Sequence, residues 1–235
     1  MGEIVYGIRP VVEALRSRRR KVHEILDAVG DKGVAVEAAA RGARLKRVPK
    51  GRIEELAPGA VHQGVVARVG AYPYSSLKEI LGTPNSLVVV LDSVTDPQNL
   101  GAILRIVDGV GASGVVIPKD RAVGVTSAAV KASAGASEHV PVARETNLRR
   151  ALEEMKKAGV WAYAAEGGAA SAAYTNLDFS GPVAFVLGSE GRGIRRLVRE
   201  GCDGAVYIPM RGAVSSLNVS VTAAVLLFET RRQRG

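Results

Sequence analysis

"IPMRGAVSSLNVSVTAAVLLFE", residues 208–229, decides how the rest of this chain is read. From Val219 to Phe228 it is apolar on nearly every side, the pattern of a helix packed by protein all round. Chain termini ordinarily lie at the surface and fray. A buried helix here, opened by the polar residues Ser215, Ser216 and Asn218, therefore needs an explanation beyond packing. Ser215 or Ser216 could serve simply as the helix N-cap. Asn218-Val219-Ser220 is formally a glycosylation sequon, which carries no weight without a secretion signal.

Working outward, the sequence from Leu87 onward alternates between two patterns. Continuous apolar runs ("LVVVLD", "GVVIP", "EHVPVA", "VWAYAA", "PVAFVLG", "GAVYIP") predict strands, and helical stretches are expected near 98–109, 126–134, 147–158, 192–200 and 216–232. Apolar strands separated by helices predict a parallel sheet covered on both faces, and such sheets bind ligands at the carboxyl ends of their strands. Residues 1–72 predict a second, smaller α/β unit: helices at "PVVEALRS", "GVAVEAAARG" and "GRIEELA", strands at "VHEILDAV", "RLKRV" and "QGVVARV". Residues 73–85, broken by Pro73 and Pro84, predict a linker with a helical turn at "SLKEI".

Three strand ends carry polar residues beside glycine. "LDSVTDPQNLGAILR" (91–105) turns at Asp96-Pro97 and places Asn99 near a helix start, with Arg105 six residues on. In a largely apolar helix Arg105 must find a partner or snorkel to solvent. "FVLGSEGRGI" (185–194) runs strand, glycine-rich turn, helix, so a ligand can approach its backbone. Its Glu190 would repel a phosphate and suits a cation, a ribose hydroxyl or the helix dipole. The third is Ser216 with Asn218. By contrast "GVGASG" (109–114) matches the dinucleotide fingerprint only in letters: a helix precedes it and a strand follows, so its glycines read as a helix end and a turn. His23, His62 and His139 read as strand-edge or core residues, Trp161 as core, and Cys202 as an unreactive small residue.

Composition bounds the rest. The 235 residues, 47% hydrophobic and 23% charged, are those of an ordinary globular protein of one or two domains. The 219–228 run is about half of what a membrane span needs. "MGEIVYGIRP" lacks the basic-then-apolar pattern of a signal peptide. One cysteine excludes an internal disulfide, and with three scattered histidines it makes no zinc spacing. The expectation is a reduced cytoplasmic protein without a structural metal. The net charge of +9 and pI near 9.9 favour a polyanionic partner. Residues 1–72 hold 14 Lys and Arg against 8 Asp and Glu, concentrated in "RSRRRK" (16–21) and "RGARLKRVPKGR" (41–52). A single such run is commonly a solvated surface; two in one small unit point to nucleic acid.

Together, "DPQNLGAILR", "LGSEGRGI" and residues 208–229 resemble, in order and spacing, the three motifs of the SpoU family of RNA 2′-O-ribose methyltransferases. "IVYGIRPVVEAL", "GAVHQGVVARV", "IPKDRAV" and "SEHVPVARETNL" resemble the branch of that family that methylates a guanosine of 23S rRNA, so the similarity covers nearly the whole chain. The resemblance implies an α/β fold: a parallel-sheet domain over 86–235 whose last segment is threaded as a deep trefoil knot (SPOUT-like), joined by the 73–85 linker to a small RNA substrate-binding domain over 1–72. It implies S-adenosylmethionine as cofactor, held by backbone near Gly188, Ile208 and Leu217. Asn99, Arg105, Glu190, Ser216 and Asn218 match the family's catalytic and substrate-positioning set. It also implies a homodimer, and it explains the opening stretch: a threaded helix is packed on most sides and its polar start is the site. The family's chemistry is compatible with a tRNA substrate too, although the shorter tRNA enzymes lack the first domain. A non-catalytic RNA-binding or resistance-type relative on the same scaffold is the third reading, against which the intact motif residues argue. A guanidinium ordinarily keeps its proton, so Arg105 reads better as a clamp on phosphate and developing alkoxide than as a general base.

Overall fold

The strands of the first unit are short and separated by short helices: β1 (Glu3–Tyr6), α1 (Ile8–Ser17), β2 (Val22–Asp27), α2 (Lys32–Ala40), β3 (Leu45–Arg47), α3 (Lys50–Leu56) and β4 (Val65–Val69). They come from a computed structural model that describes residues 2–168, 171–189 and 191–235. Among these, four strands form a mixed sheet in the order β1-β4-β2-β3, with β4 antiparallel to both neighbours and β3 parallel to β2. α1 buries Val11, Val12 and Leu15 against one face, while Ile53 of α3 packs with Leu26 and Val66 on the other. β1 was not foreseen: "EIVY" is an edge strand too short to show an alternating pattern.

The second unit continues with α4 (Leu77–Leu81), β5 (Leu87–Asp92), α5 (Pro97–Val110), β6 (Gly114–Pro118), α6 (Ser127–Ala132), β7 (Val142–Glu145), α7 (Leu148–Lys157), β8 (Trp161–Ala165), β9 (Ser171–Ala173), β10 (Val183–Gly188), α8 (Arg196–Arg199), β11 (Gly204–Tyr207) and α9 (Val219–Arg234). Among the described residues seven strands lie in the order β7-β6-β5-β10-β8-β11-β9, and each neighbouring pair is parallel. Every residue of β5 is buried, as a central strand covered on both faces requires. Leu87, Val89 and Leu91 meet α5 and α9 on one face, where Leu100, Ile103, Leu104, Leu226 and Leu227 pack. Val88 and Val90 meet α4 and α7 on the other, through Ile80, Leu148, Leu152 and Met155. The apolar core of the first unit runs continuously into the α5 side.

Several expectations change. The strand expected at "EHVPVA" begins only at Val142, because Ala136–Glu138 forms a 3-10 turn that sinks Glu138 into an ion pair with Arg20. The helix expected near 192–200 shrinks to α8, since Gly191 and Gly193 take positive φ and Arg195 is extended. α5 runs one residue past Gly109 and ends on Gly111 in the left-handed conformation. Trp161 is 54% exposed at the start of β8, whose inward positions are Ala162 and Ala164. α9 is not buried all round: Val219, Ala223, Leu226 and Leu227 face the core, while Val221 and Phe228 are 45% and 55% exposed.

The "RSRRRK" run divides: Arg16, Arg18 and Lys21 are exposed, while Arg19 is half-buried and Arg20 buried. Arg20 is buried against Glu138 and also pairs with Glu3, 2.8 Å away. Arg19 donates to the carbonyls of Val140 and Pro73. Arg16 pairs with Glu13 and Glu37. Arg19 and Arg20 thus join the two units, whereas Arg16 stays within the first. Residues 73–76 are likewise held: the Ser75 amide donates to Val142 at the sheet edge, and Ser76 caps α4.

Candidate active site

β8, β10 and β11 are neighbours and all parallel, so their carboxyl ends open on one edge of the sheet. A cavity of about 800 Å³ lies there, lined from β8 by Ala165 and Glu166, from β10 by Leu187 and Gly188, and from β11 by Val206 and Ile208. The loop 215–218 and the first turns of α9 close it. The cavity therefore opens at the carboxyl ends of parallel strands, where open α/β sheets bind ligands.

The turn after β10 is shaped by backbone contact. Ser189 bridges Gly193, whose amide donates to the Ser189 carbonyl at 2.9 Å. A side chain at Gly188 would overlap the Gly193 carbonyl and the Ile194 amide nitrogen, so this position demands glycine. The turn is tied to the end of β5 by Asp92. That buried carboxylate accepts from the Arg195 amide and from Arg195 Nε, both at 2.7 Å, and from Ser93 Oγ at 3.1 Å. The Asp92–Arg195 pair was missed in the sequence, although a lone acid closing the apolar run "LVVVL" is its one visible trace. Ser189 Oγ belongs to a residue that lines the cavity; it is buried and, among the described residues, has no hydrogen-bond partner. Buried hydroxyls are ordinarily satisfied, so this one is a candidate ligand contact.

Gly188, Ile208, Leu217, Ser216 and Asn218 line the cavity together. Asn218, rather than Ser215 or Ser216, is the N-cap of α9, accepting from the Ser220 amide at 2.8 Å. Its Nδ2 donates to Asn99 Oδ1 at 3.0 Å, which brings the first turn of α5 to the cavity mouth. Asn99 sits in the first turn of α5, whose start is capped by Asp96 accepting from the Gln98 amide, with Pro97 beside it. Arg105 is not in this cavity. It lies about 9 Å further along α5, exposed, and lines a second cavity with Arg9, Glu13 and His139. Glu190 falls outside the described residues.

The remaining polar groups give the site a mild character. Glu166 on the cavity wall accepts from Arg199 at 3.5 Å. Cys202, half-buried behind β11, has its thiol pushed up to about 12 by burial, which leaves little thiolate near neutral pH. His62 and His139 are engaged by Glu54 and Glu13. Among the described residues no group of His, Cys, Asp and Glu could hold a metal ion, and no helix is long and apolar enough to cross a membrane.

Comparison with known proteins agrees with this geometry. Residues 86–228 match the SpoU rRNA Methylase family, and residues 4–75 match the RNA 2′-O ribose methyltransferase substrate-binding family. The chain is 43% identical, over 99% of its own length and 96% of the relative's, to YacO of Bacillus subtilis, which is named as a TrmH family tRNA/rRNA methyltransferase. It is also 43% identical to the 23S rRNA (guanosine-2′-O-)-methyltransferase RlmB of Haemophilus influenzae, over 100% of this chain and 99% of that one. The crystal structure of the SpoU methyltransferase AviRb from Streptomyces viridochromogenes, in complex with AdoMet, superposes with a TM-score of 0.84 at 26% identity, covering 98% of this chain and 89% of that one. A parallel sheet with its cavity at the ends of β8, β10 and β11, and two family matches that together span most of the sequence, lead to one conclusion: this chain belongs to the SpoU rRNA methylase family.

Proposed function

We propose that this protein transfers a methyl group from S-adenosylmethionine to the ribose 2′-hydroxyl of a guanosine in 23S rRNA. The observation that carries the reading is the Asn218–Asn99 contact at the mouth of the 800 Å³ cavity, which sets polar side chains from two motifs beside a pocket of cofactor size. The residues present fit the cofactor. Gly188 allows close backbone approach, Leu187, Ile194 and Leu226 offer an apolar wall, and Ser189 Oγ is a buried hydroxyl awaiting a partner. When bound, S-adenosylmethionine supplies a methyl group already electrophilic on a sulfonium sulfur, so the protein's task is alignment and removal of a proton. Gly188, Ile208 and Leu217 would hold the cofactor; Ser216, Asn218 and Asn99 would position the ribose. Arg105, placed along α5 away from that cluster, suits a phosphate clamp better than proton abstraction. Glu190 is assigned to the same set by motif position alone.

The final segment is inferred to be threaded as a trefoil knot, as in the relatives' family. In support, the loop 215–218 and α9 close a cavity whose other walls are the ends of β8, β10 and β11. A homodimer is proposed as well. Its support is the apolar stripe Val221, Val225 and Phe228, spaced four and three residues apart on α9 and left partly exposed. A cytoplasmic setting follows from the substrate.

A tRNA substrate is the second reading, because the Bacillus relative is named for both RNAs. Transfer of labelled methyl to 23S rRNA and to tRNA, with the modified ribose mapped, separates the two. Label on a 23S guanosine ribose is expected; label on tRNA alone would overturn the rRNA assignment, and label on neither would overturn methyl transfer.

A further inference from the structure

The second cavity, of about 650 Å³, lies where the first unit meets the α5 face of the second. One wall is α1, with Arg9 and Glu13 one turn apart; the other is Arg105 and Asp108 on α5, and the floor is the turn 133–139. The two units are locked together around it. Arg20 and Glu138, whose side chains are 2% and 0% exposed, form a buried ion pair. His139 Nε2 lies 2.9 Å from Glu13 Oε2. Gly135, at φ +92°, packs so closely that a Cβ there would sit 2.7 Å from Glu13 Cβ. The walls are therefore fixed.

The charges around it are unevenly occupied. Most arginines of the first unit are engaged: Arg16, Arg20, Arg47 and Arg52 in ion pairs, Arg19 and Arg41 on carbonyls. Glu13 is occupied by His139 and Arg16. Arg9 and Arg105 are both exposed and, among the described residues, neither has a hydrogen bond or ion pair. Two free guanidinium groups, one from each unit, thus face one groove that begins about 9 Å along α5 from Asn99. Asp108 also lines it. A carboxylate there opposes a bare anion such as free phosphate, and it suits a ligand that offers a hydroxyl beside its phosphate, as ribose does.

We propose that this groove seats a nucleotide of the RNA strand next to the methylated one, with Arg9 and Arg105 on its phosphate and Asp108 on its 2′-hydroxyl. Arg9 is then a positioning residue contributed by the first unit, and that unit acts as one jaw of the groove. This rests on the RNA methyltransferase reading above. A guanidinium fork takes a phosphate through two parallel hydrogen bonds, and each phosphate contact releases counterions.

The test uses the full chain and a transcript of the 23S segment that carries the mapped guanosine. Arg9→Gln should weaken transcript binding about tenfold and flatten the dependence of log affinity on log salt by roughly 0.7, the share of one single-strand phosphate contact. The loss should fall chiefly on KM for RNA. S-adenosylmethionine affinity and Tm should hold, and Arg9→Lys should recover part of the binding because charge persists without the fork. Unchanged RNA affinity and salt slope in Arg9→Gln, beside an active wild type, would overturn the groove and leave the methyltransferase reading standing. A lowered Tm or cofactor affinity would make Arg9 a packing residue and also overturn it. A wild type that binds no RNA would overturn both.

Discussion

Asp92 and Arg195 are joined twice: one carboxylate oxygen takes the backbone amide, the other takes Nε, each at 2.7 Å. The pair ties the end of β5 to the loop that follows β10. Asp92 is wholly buried while Arg195 is exposed, so the two are not equivalent to mutation. Arg195→Gln leaves the buried carboxylate with the Arg195 amide and Ser93 only. We expect a loss of about 1–3 kcal/mol in stability, seen as a lower urea midpoint, with S-adenosylmethionine affinity reduced several-fold in calorimetry. A variant with unchanged midpoint and affinity would show that the loop is held by other contacts.

Gly188→Ala forces a methyl group into the Gly193–Ile194 backbone. The loop must open, at a cost of about 1–3 kcal/mol, and cofactor affinity should drop tenfold or more. Gly109→Ala is the control. That site, in the last turn of α5, has open space, and alanine there should add up to about 1 kcal/mol of stability. Equal behaviour of the two variants in thermal melts would refute the close-approach argument.

Asn218 caps α9 with its oxygen and reaches Asn99 with its nitrogen. Asn218→Asp keeps the cap acceptor and removes the donor; Asn218→Ala removes both. The alanine variant should lose about 1 kcal/mol more than the aspartate variant. Both should lose most single-turnover methylation, and Asn99→Ala should follow them in rate with a smaller change in Tm. Normal rates in Asn218→Asp would divorce the contact from catalysis.

Phe228 and Val221 stand open on one stripe of α9. If a second copy covers them, Phe228→Asp should convert a dimer to a monomer in analytical ultracentrifugation. A monomeric wild type at micromolar concentration would defeat the dimer proposal.

The Cys202 thiol is raised to about 12 by burial, against about 8.5 for a free thiol. A disulfide reagent should therefore react much more slowly with the native protein at pH 8 than with protein in urea. In urea the rate should level off above pH 9, whereas the native rate should still be climbing. By linkage, the buried neutral thiol contributes its stability below about pH 8.5 and loses it as pH rises toward 12. Equal native and unfolded rates at pH 8 would contradict the burial.

The sequence was most legible where one local rule acted alone. Continuous apolar runs marked β5 and β6 to the residue, and Asp96-Pro97 marked the start of α5. It was least legible where partners lie far apart in the chain. Nothing local in "RSRRRK" says that Arg20 will be buried, because Glu138 arrives 118 positions later. Asp92 has the same difficulty with Arg195, and β9, made of "SAA", has too little apolar surface to announce itself. Residues 188, 208 and 216–218, named from the motifs, line one cavity, while Arg105 lines another; the spacing of Asn99 and Arg105 on one helix carries no sign of that separation.

The place of β10 has a consequence for how the chain is made. β10 lies between β5 and β8, yet both of those leave the ribosome first. Val183, which pairs with Leu87, follows it by an interval that takes on the order of 5–20 s at roughly 5–20 residues per second. Throughout that time one flank of the buried strand "LVVVLD" has no neighbour, and an open, apolar strand edge invites pairing with other chains. Synthesis of this protein therefore places a demand on chaperones that its finished, tightly paired sheet conceals.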